Sequence, residues 1–176
     1  MKVLVYAFGP YDNFSQNVSQ QVLENLPERP GIKKVLLPKV EFDREAIIQA
    51  LTSEKVDAIL GLGQYPRGHK IRIERKAWNW QKPRKTKGRK ITDEGKASVP
   101  ATLKLKPDKN GWISYNPGRY VCNYSMYIAL TDGKIKGTPY AFMHIPKDMA
   151  VRVATSVVEA QIMLMLESSQ ALTDGK

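Results

Sequence analysis

Between Lys2 and Gly63 the chain alternates apolar runs of strand length with stretches of helical period, and few folds accept that alternation. Lys2–Phe8 (KVLVYAF) is rich in β-branched and aromatic residues and reads as a buried strand. Gly9-Pro10 ends it. In Asn17–Leu26, Val18, Val22 and Leu26 recur at helical spacing, and Pro27–Gly31 stops that helix. Lys33–Val40 reads as a second strand, and Pro38 places it at an edge or ends it early. Asp43 is positioned to cap a helix running to about Ser53, with Ala46, Ile47, Ala50 and Leu51 on one face. Val56–Gly63 (VDAILGLG) is a third strand that runs into a glycine-bearing loop. A β-α-β-α-β order implies parallel strands joined by crossover helices. The expected fold is therefore α/β, a three-layer α/β/α sandwich around a mostly parallel twisted sheet.

The later elements fit that plan. Ala101–Lys106 and Trp112–Tyr115 flank Pro107–Gly111 (PDKNG), which predicts a small hairpin insertion. A helix is expected from about Gly118 to Leu130, a strand over Tyr140–Ile145, and a long helix from Lys147-Asp148 to about Glu167. Val151, Ala154, Val158, Ile162 and Met165 form its core stripe. Residues 1–168 read as a single domain and 169–176 as a polar tail. A chain of 176 residues, 42% of them hydrophobic, can bury a substantial core.

No window approaches the ~20 apolar residues of a membrane span. The N-terminus lacks the pattern of an export signal. A single cysteine cannot form an internal disulfide, so a cytoplasmic location is the expectation. The net charge of +11 is concentrated in one place. Residues 67–90 hold eleven Lys or Arg and one acid, Glu74, which accounts for +10 of that total. Such a segment calls for an anionic partner or an unusual loop.

In α/β sheets, reactive side chains gather where strands end and loops begin. Cys122 opens a helix just after Asn116-Pro117-Gly118, and His144 closes a strand. A helix start favours a thiolate. A thiol nucleophile needs a base, and the base needs an orienting acceptor. Glu74 sits among cations that favour its ionised form. The alternative for each is structural: a small apolar filler for Cys122, a satisfied core histidine for His144, and an ordinary ion pair with Arg72 or Arg75 for Glu74. No Cys/His pair has ligand spacing, so no metal or other cofactor is expected.

Four segments, in order, carry a family resemblance. KVLVYAFGPY is similar to the strand-plus-G-F-x-P-F opening of pyroglutamyl peptidase I, the pyrrolidone-carboxylate peptidase family of cysteine peptidases. IERKAWNW resembles that family's I-E-R-x-A-x-N, GRYVCNYSMY its G-x-Y-x-C-N-x-x-M-Y, and FMHIP its F-x-H-x-P. The resemblance implies a triad in which Cys122 is the nucleophile, His144 the general base and acid, and Glu74 the residue that orients His144. It implies removal of an N-terminal pyroglutamyl residue from a small blocked peptide through a thioester acyl-enzyme. It places Phe8 and Tyr11 against the lactam ring, Asn17 and Gln64 in segments that shape the pocket, and Arg84 near the active site.

The chain resembles a short, divergent member of that family. Ala7 replaces a Gly of the opening motif, Tyr11 a Phe, and Asp12-Asn13 a Gly-Gly pair. Asn116-Pro117-Gly118 replaces a small-residue Ser-Ala-Gly, and the basic WQKPRKTKGRK replaces an acidic stretch. The segments between Pro100 and Trp112 and between Leu130 and Tyr140 are abbreviated. Those regions form the family's lid and the contacts of its homo-oligomer. The basic 67–90 segment supports a second reading, a nucleic-acid or polyanion-binding module on a peptidase-like scaffold, because Trp78 and Trp80 interleave with cations. A third reading joins the two: the segment draws acidic substrates or an acidic partner.

Overall fold

The computed structural model describes residues 1–170. In chain order the elements are β1 (Val3–Phe8), α1 (Val18–Asn25), β2 (Ile32–Leu37), α2 (Arg44–Leu51), β3 (Ala58–Tyr65), β4 (Ile71–Glu74), β5 (Lys76–Trp78), β6 (Ser98–Pro100), β7 (Gly111–Ser114), α3 (Val121–Thr131), β8 (Tyr140–Pro146) and α4 (Val151–Gln170). Six strands form one sheet in the order β2-β1-β3-β8-β4-β7. The pairs β1–β2, β1–β3 and β3–β8 are parallel, and β4 meets β8 antiparallel. The mostly parallel α/β/α sandwich is thus the observed fold.

Alternation along each strand splits the core in two. Val3, Val5 and Ala7 of β1, with Ile71 and Ile73 of β4 and Met143 of β8, pack under α1 and α4. Leu4, Tyr6 and Phe8, with Tyr140 and Phe142, pack under α2 and α3. The Asn17 side chain caps α1, accepting from the Ser19 amide at 3.0 Å. Asp43 caps α2 as its sequence predicts, accepting from the Ala46 amide at 3.0 Å. Pro38 follows β2, which lies at the sheet edge.

On the α3 face, the Tyr6 hydroxyl bonds Tyr140 Oη at 2.7 Å and Ser125 Oγ at 2.9 Å. A Cβ on Gly61 would lie 2.7 Å from Tyr6 Cζ and Oη and would also strike the Phe142 ring. Gly61→Ala is therefore expected to destabilise the fold by about 1–3 kcal/mol through overpacking. Thermal unfolding should show Tm falling by roughly 3–10 °C. An unchanged Tm would mean that the core can yield there.

Four expectations are corrected. The turn at Pro107–Gly111 does not join paired strands: β7 runs parallel to β4, and the antiparallel two-stranded ribbon is β5 with β6. The physical reason is burial. Ala101 and Leu105 enter the core, and the Thr102 and Leu103 amides donate to Tyr140 O, so this stretch is not free to pair with β7. The basic 67–90 segment is not a uniform loop, because it contributes β4 to the main sheet and β5 to the ribbon. Helix α3 begins at Val121 rather than near Gly118, whose φ of +82° breaks helical geometry. At the other end α4 runs through Gln170, past the expected start of the polar tail; residues 171–176 lie outside the described residues.

Candidate active site

The carboxyl ends of β1, β3 and β8 converge on one rim. Phe8, Gln64 and His144 come from those ends, and Gly63 pairs in register with His144. Together with Tyr11, Asn17 and Cys122 they line a cavity of about 340 Å³. Asn17 ties the rim together: it donates to Gly9 O at 2.7 Å while capping α1, whose Val18 amide donates to Gln64 Oε1 at 2.9 Å. Burial pushes the Tyr11 phenol up, opposed by the neighbouring Gln64 amide.

His144 and Glu74 meet across the antiparallel β4–β8 pair. His144 Nδ1 lies 2.9 Å from Glu74 Oε1, with the two residues 4% and 1% exposed. Because Nδ1 is committed to the carboxylate, the ring's other nitrogen is the one left for a reaction partner. The His144 pKa is pushed up to about 9. Burial works against its charge, but the influence of Cys122, then that of the Glu74 carboxylate, outweighs that penalty.

Cys122 occupies the first turn of α3. The Tyr120 side chain makes no capping hydrogen bond there. Gly63 leaves the sulfur its space, since a Cβ at Gly63 would lie 2.8 Å from Sγ. Asn123 fixes the helix against β5: its Oδ1 accepts from the Trp78 amide at 2.7 Å, and its Nδ2 donates to Trp78 O and Trp80 O at 2.9 and 2.8 Å.

Arg84 does not line the cavity. It pairs with Asp12 at 2.8 Å, its side chain 65% exposed, and both charges act on Tyr120 at the cavity wall. The cation inside the site is Arg72, one of the two ion-pair partners that the sequence offered for Glu74. It is 8% exposed, with Nε 3.2 Å from Glu74 Oε1 and Nη2 donating to Ser114 Oγ at 2.7 Å and to Asn116 O. Its guanidinium also lies over the Tyr65 ring, 4.4 Å from the centroid. The signal for it was the alternation Ile71–Arg72–Ile73–Glu74, which puts Arg72 and Glu74 on one face of a strand.

Fold and cavity together define an α/β protein with a thiol and an imidazole in one cavity at the carboxyl ends of β1, β3 and β8, and a carboxylate from the antiparallel β4 on that imidazole. The sequence profile described as pyroglutamyl peptidase matches residues 1–162. The pyrrolidone-carboxylate peptidase 1 of Saccharolobus solfataricus is 26% identical over 189 aligned positions, covering 94% of this chain and 89% of that protein. The pyrrolidone-carboxylate peptidase of Thermosipho melanesiensis is 32% identical over 167 positions, 83% of each chain. In structure, the pyrrolidone carboxyl peptidase of Thermococcus litoralis superposes with a TM-score of 0.84 at 22% identity, covering 97% of this chain and 95% of that one. The chain belongs to the pyroglutamyl peptidase family.

Proposed function

We propose that this protein is a cysteine peptidase that hydrolyses the amide bond following an N-terminal pyroglutamyl residue, with Cys122, His144 and Glu74 as its triad. The observation that carries this reading is His144 with Nδ1 2.9 Å from the buried Glu74 carboxylate while its ring lines the same cavity as the half-buried Cys122. His144 takes the Cys122 proton, giving a thiolate–imidazolium pair. The thiolate adds to the amide carbonyl, and first-turn amides of α3 stabilise the oxyanion. Collapse breaks the C–N bond, His144 protonates the departing amine, and a thioester remains. Water then attacks the thioester, giving up a proton to His144, and the acid and free thiol are released. Phe8 and Tyr11 flank the lactam ring, with Asn17 and Gln64 shaping the far wall. Arg72 is a positioning residue that braces Glu74 and the Asn116 carbonyl.

The test is release of a fluorogenic amine from a pyroglutamyl amide, followed alongside alkylation by iodoacetamide. Turnover is expected to stop in step with 1:1 modification of Cys122, which is the only thiol. No release, with a slowly alkylated thiol, overturns the reading.

A further inference from the structure

Beside the Cys122 cavity lies a second groove of about 510 Å³, and Asn116 lines both. Trp78, Trp80, Lys90 and Arg119 form its walls. The groove is built on buried hydrogen bonds. Asn79, 5% exposed, accepts from the Ile91 and Thr92 amides at 2.9 and 3.0 Å and donates to Thr92 O and Gly95 O at 2.8 and 3.2 Å. The Lys82 amide donates to Arg119 O at 2.7 Å, tying this wall to the turn that leads into Cys122.

The groove is cationic. Lys90 and Arg119 are exposed, and among the described residues neither has an ion-pair partner in the structure. Lys90 Nζ reaches only the Asp93 main-chain oxygen, at 3.4 Å. The exposed acids Asp93 and Glu94 share the loop, but Lys82, Arg89 and Lys87 outnumber them. The path into the groove starts at the chemistry. Arg72 contacts both Glu74, the partner of His144, and Asn116 O, which links the His144–Glu74 pair to the residue that lines both cavities.

We propose that this groove holds the leaving peptide and selects acidic side chains in the first two or three residues after the scissile bond. The inference rests on the cysteine-peptidase reading above, since that reading puts the acyl group in the first cavity. A peptide suits the groove better than a nucleic acid does. Lys76 Nζ covers one face of Trp78 at 3.9 Å, and the Trp80 ring is packed against Gly88, which reduces the ring surface left for stacking a base.

The test uses the full-length Cys122→Ser protein and fluorescein-labelled product peptides, so binding is read without turnover. Glu-Asp-Glu-Gly should bind ~5–10-fold more tightly than Gln-Asn-Gln-Gly at low ionic strength, with the difference shrinking below ~2-fold at 0.5 M salt. Lys90→Glu with Arg119→Glu should abolish that preference. Lys55→Glu with Lys134→Glu, an equal charge change away from the groove, should keep it. Equal affinity for the two peptides, or a preference untouched by Lys90→Glu with Arg119→Glu, overturns the inference. So does displacement of the acidic peptide by a single-stranded oligonucleotide at lower concentration, which would make the face a polyanion site. Pyroglutamyl-amide turnover by the wild type is measured in parallel. Turnover without acidic selectivity sinks this inference alone, and selectivity without turnover sinks the peptidase reading and with it the leaving-peptide role, leaving only an acidic-peptide site.

Discussion

Cys122→Ser is expected to lower kcat/KM for a pyroglutamyl amide by about 10³–10⁶-fold, the range seen when a covalent nucleophile is removed. The exchange swaps one sulfur for one oxygen in a half-buried position, so packing changes little and Tm should stay within about 2 °C. The chemistry changes far more. A hydroxyl is a much weaker acid than a thiol, and the thiolate–imidazolium pair cannot form with it. A second readout separates this from a structural effect. Cys122 is the leading influence that raises His144, so its loss should let the His144 pKa fall from about 9. Proton NMR of the imidazole ring would follow the shift. Turnover by the serine variant within tenfold of wild type would remove Cys122 from the mechanism.

Glu74→Gln is expected to act on both rate and stability. The carboxylate is buried and touches two cationic groups, His144 at 2.9 Å and Arg72 at 3.2 Å. Removing its charge leaves Arg72 buried without compensation, and breaking a buried pair in this way costs about 3–5 kcal/mol. Activity should fall by about 10²–10⁴-fold, because the imidazole loses the acceptor that sets its tautomer and orientation. The pH profile supplies the sign. In wild type, His144 is raised to about 9, so the alkaline limb of kcat/KM should fall near that value as the general acid is lost. Without Glu74, one of the influences raising it is gone, and the limb should move to lower pH. The stability linked to His144 follows the same order. It is fully present below the unfolded value of ~6.5 and is lost as pH rises through about 9. A Glu74→Gln variant with an unmoved alkaline limb would show that the carboxylate has no part in tuning the imidazole.

Much of this was legible before any coordinates. Strand-length apolar runs marked β1, β3 and β8, helical spacing placed α1, and the Asp43 cap placed α2, because these signals depend only on near neighbours. Cys122, His144, Phe8, Tyr11, Asn17 and Gln64 do reach one cavity. What stayed hidden was long-range. β4 is four residues of alternating apolar and charged character inside a basic run, and net charge masked its period. Arg72 was read only as one of two possible ion-pair partners of Glu74, since nothing local shows that Ser114 and Asn116 will surround it at the cavity. Arg84 was placed near the active site, yet the cation beside Glu74 is Arg72 and Arg84 pairs with Asp12. The hairpin expected at Pro107–Gly111 failed for a related reason: turn residues mark a bend but do not choose the strand's partner.

The β4–β8 pairing sets Arg72 opposite His144 and Glu74 opposite Phe142. Strand side chains alternate with a period of two, so sliding β4 by a single residue would turn Glu74 to the opposite face and bring Ile73 toward the imidazole. Ile71 and Ile73, buried against the α1–α4 layer, hold the strand against that slip. Catalytic competence in this protein is therefore a proofreading signal for its own assembly. A chain that has paired its strands one step out of phase would be compact and helical, yet silent toward substrate.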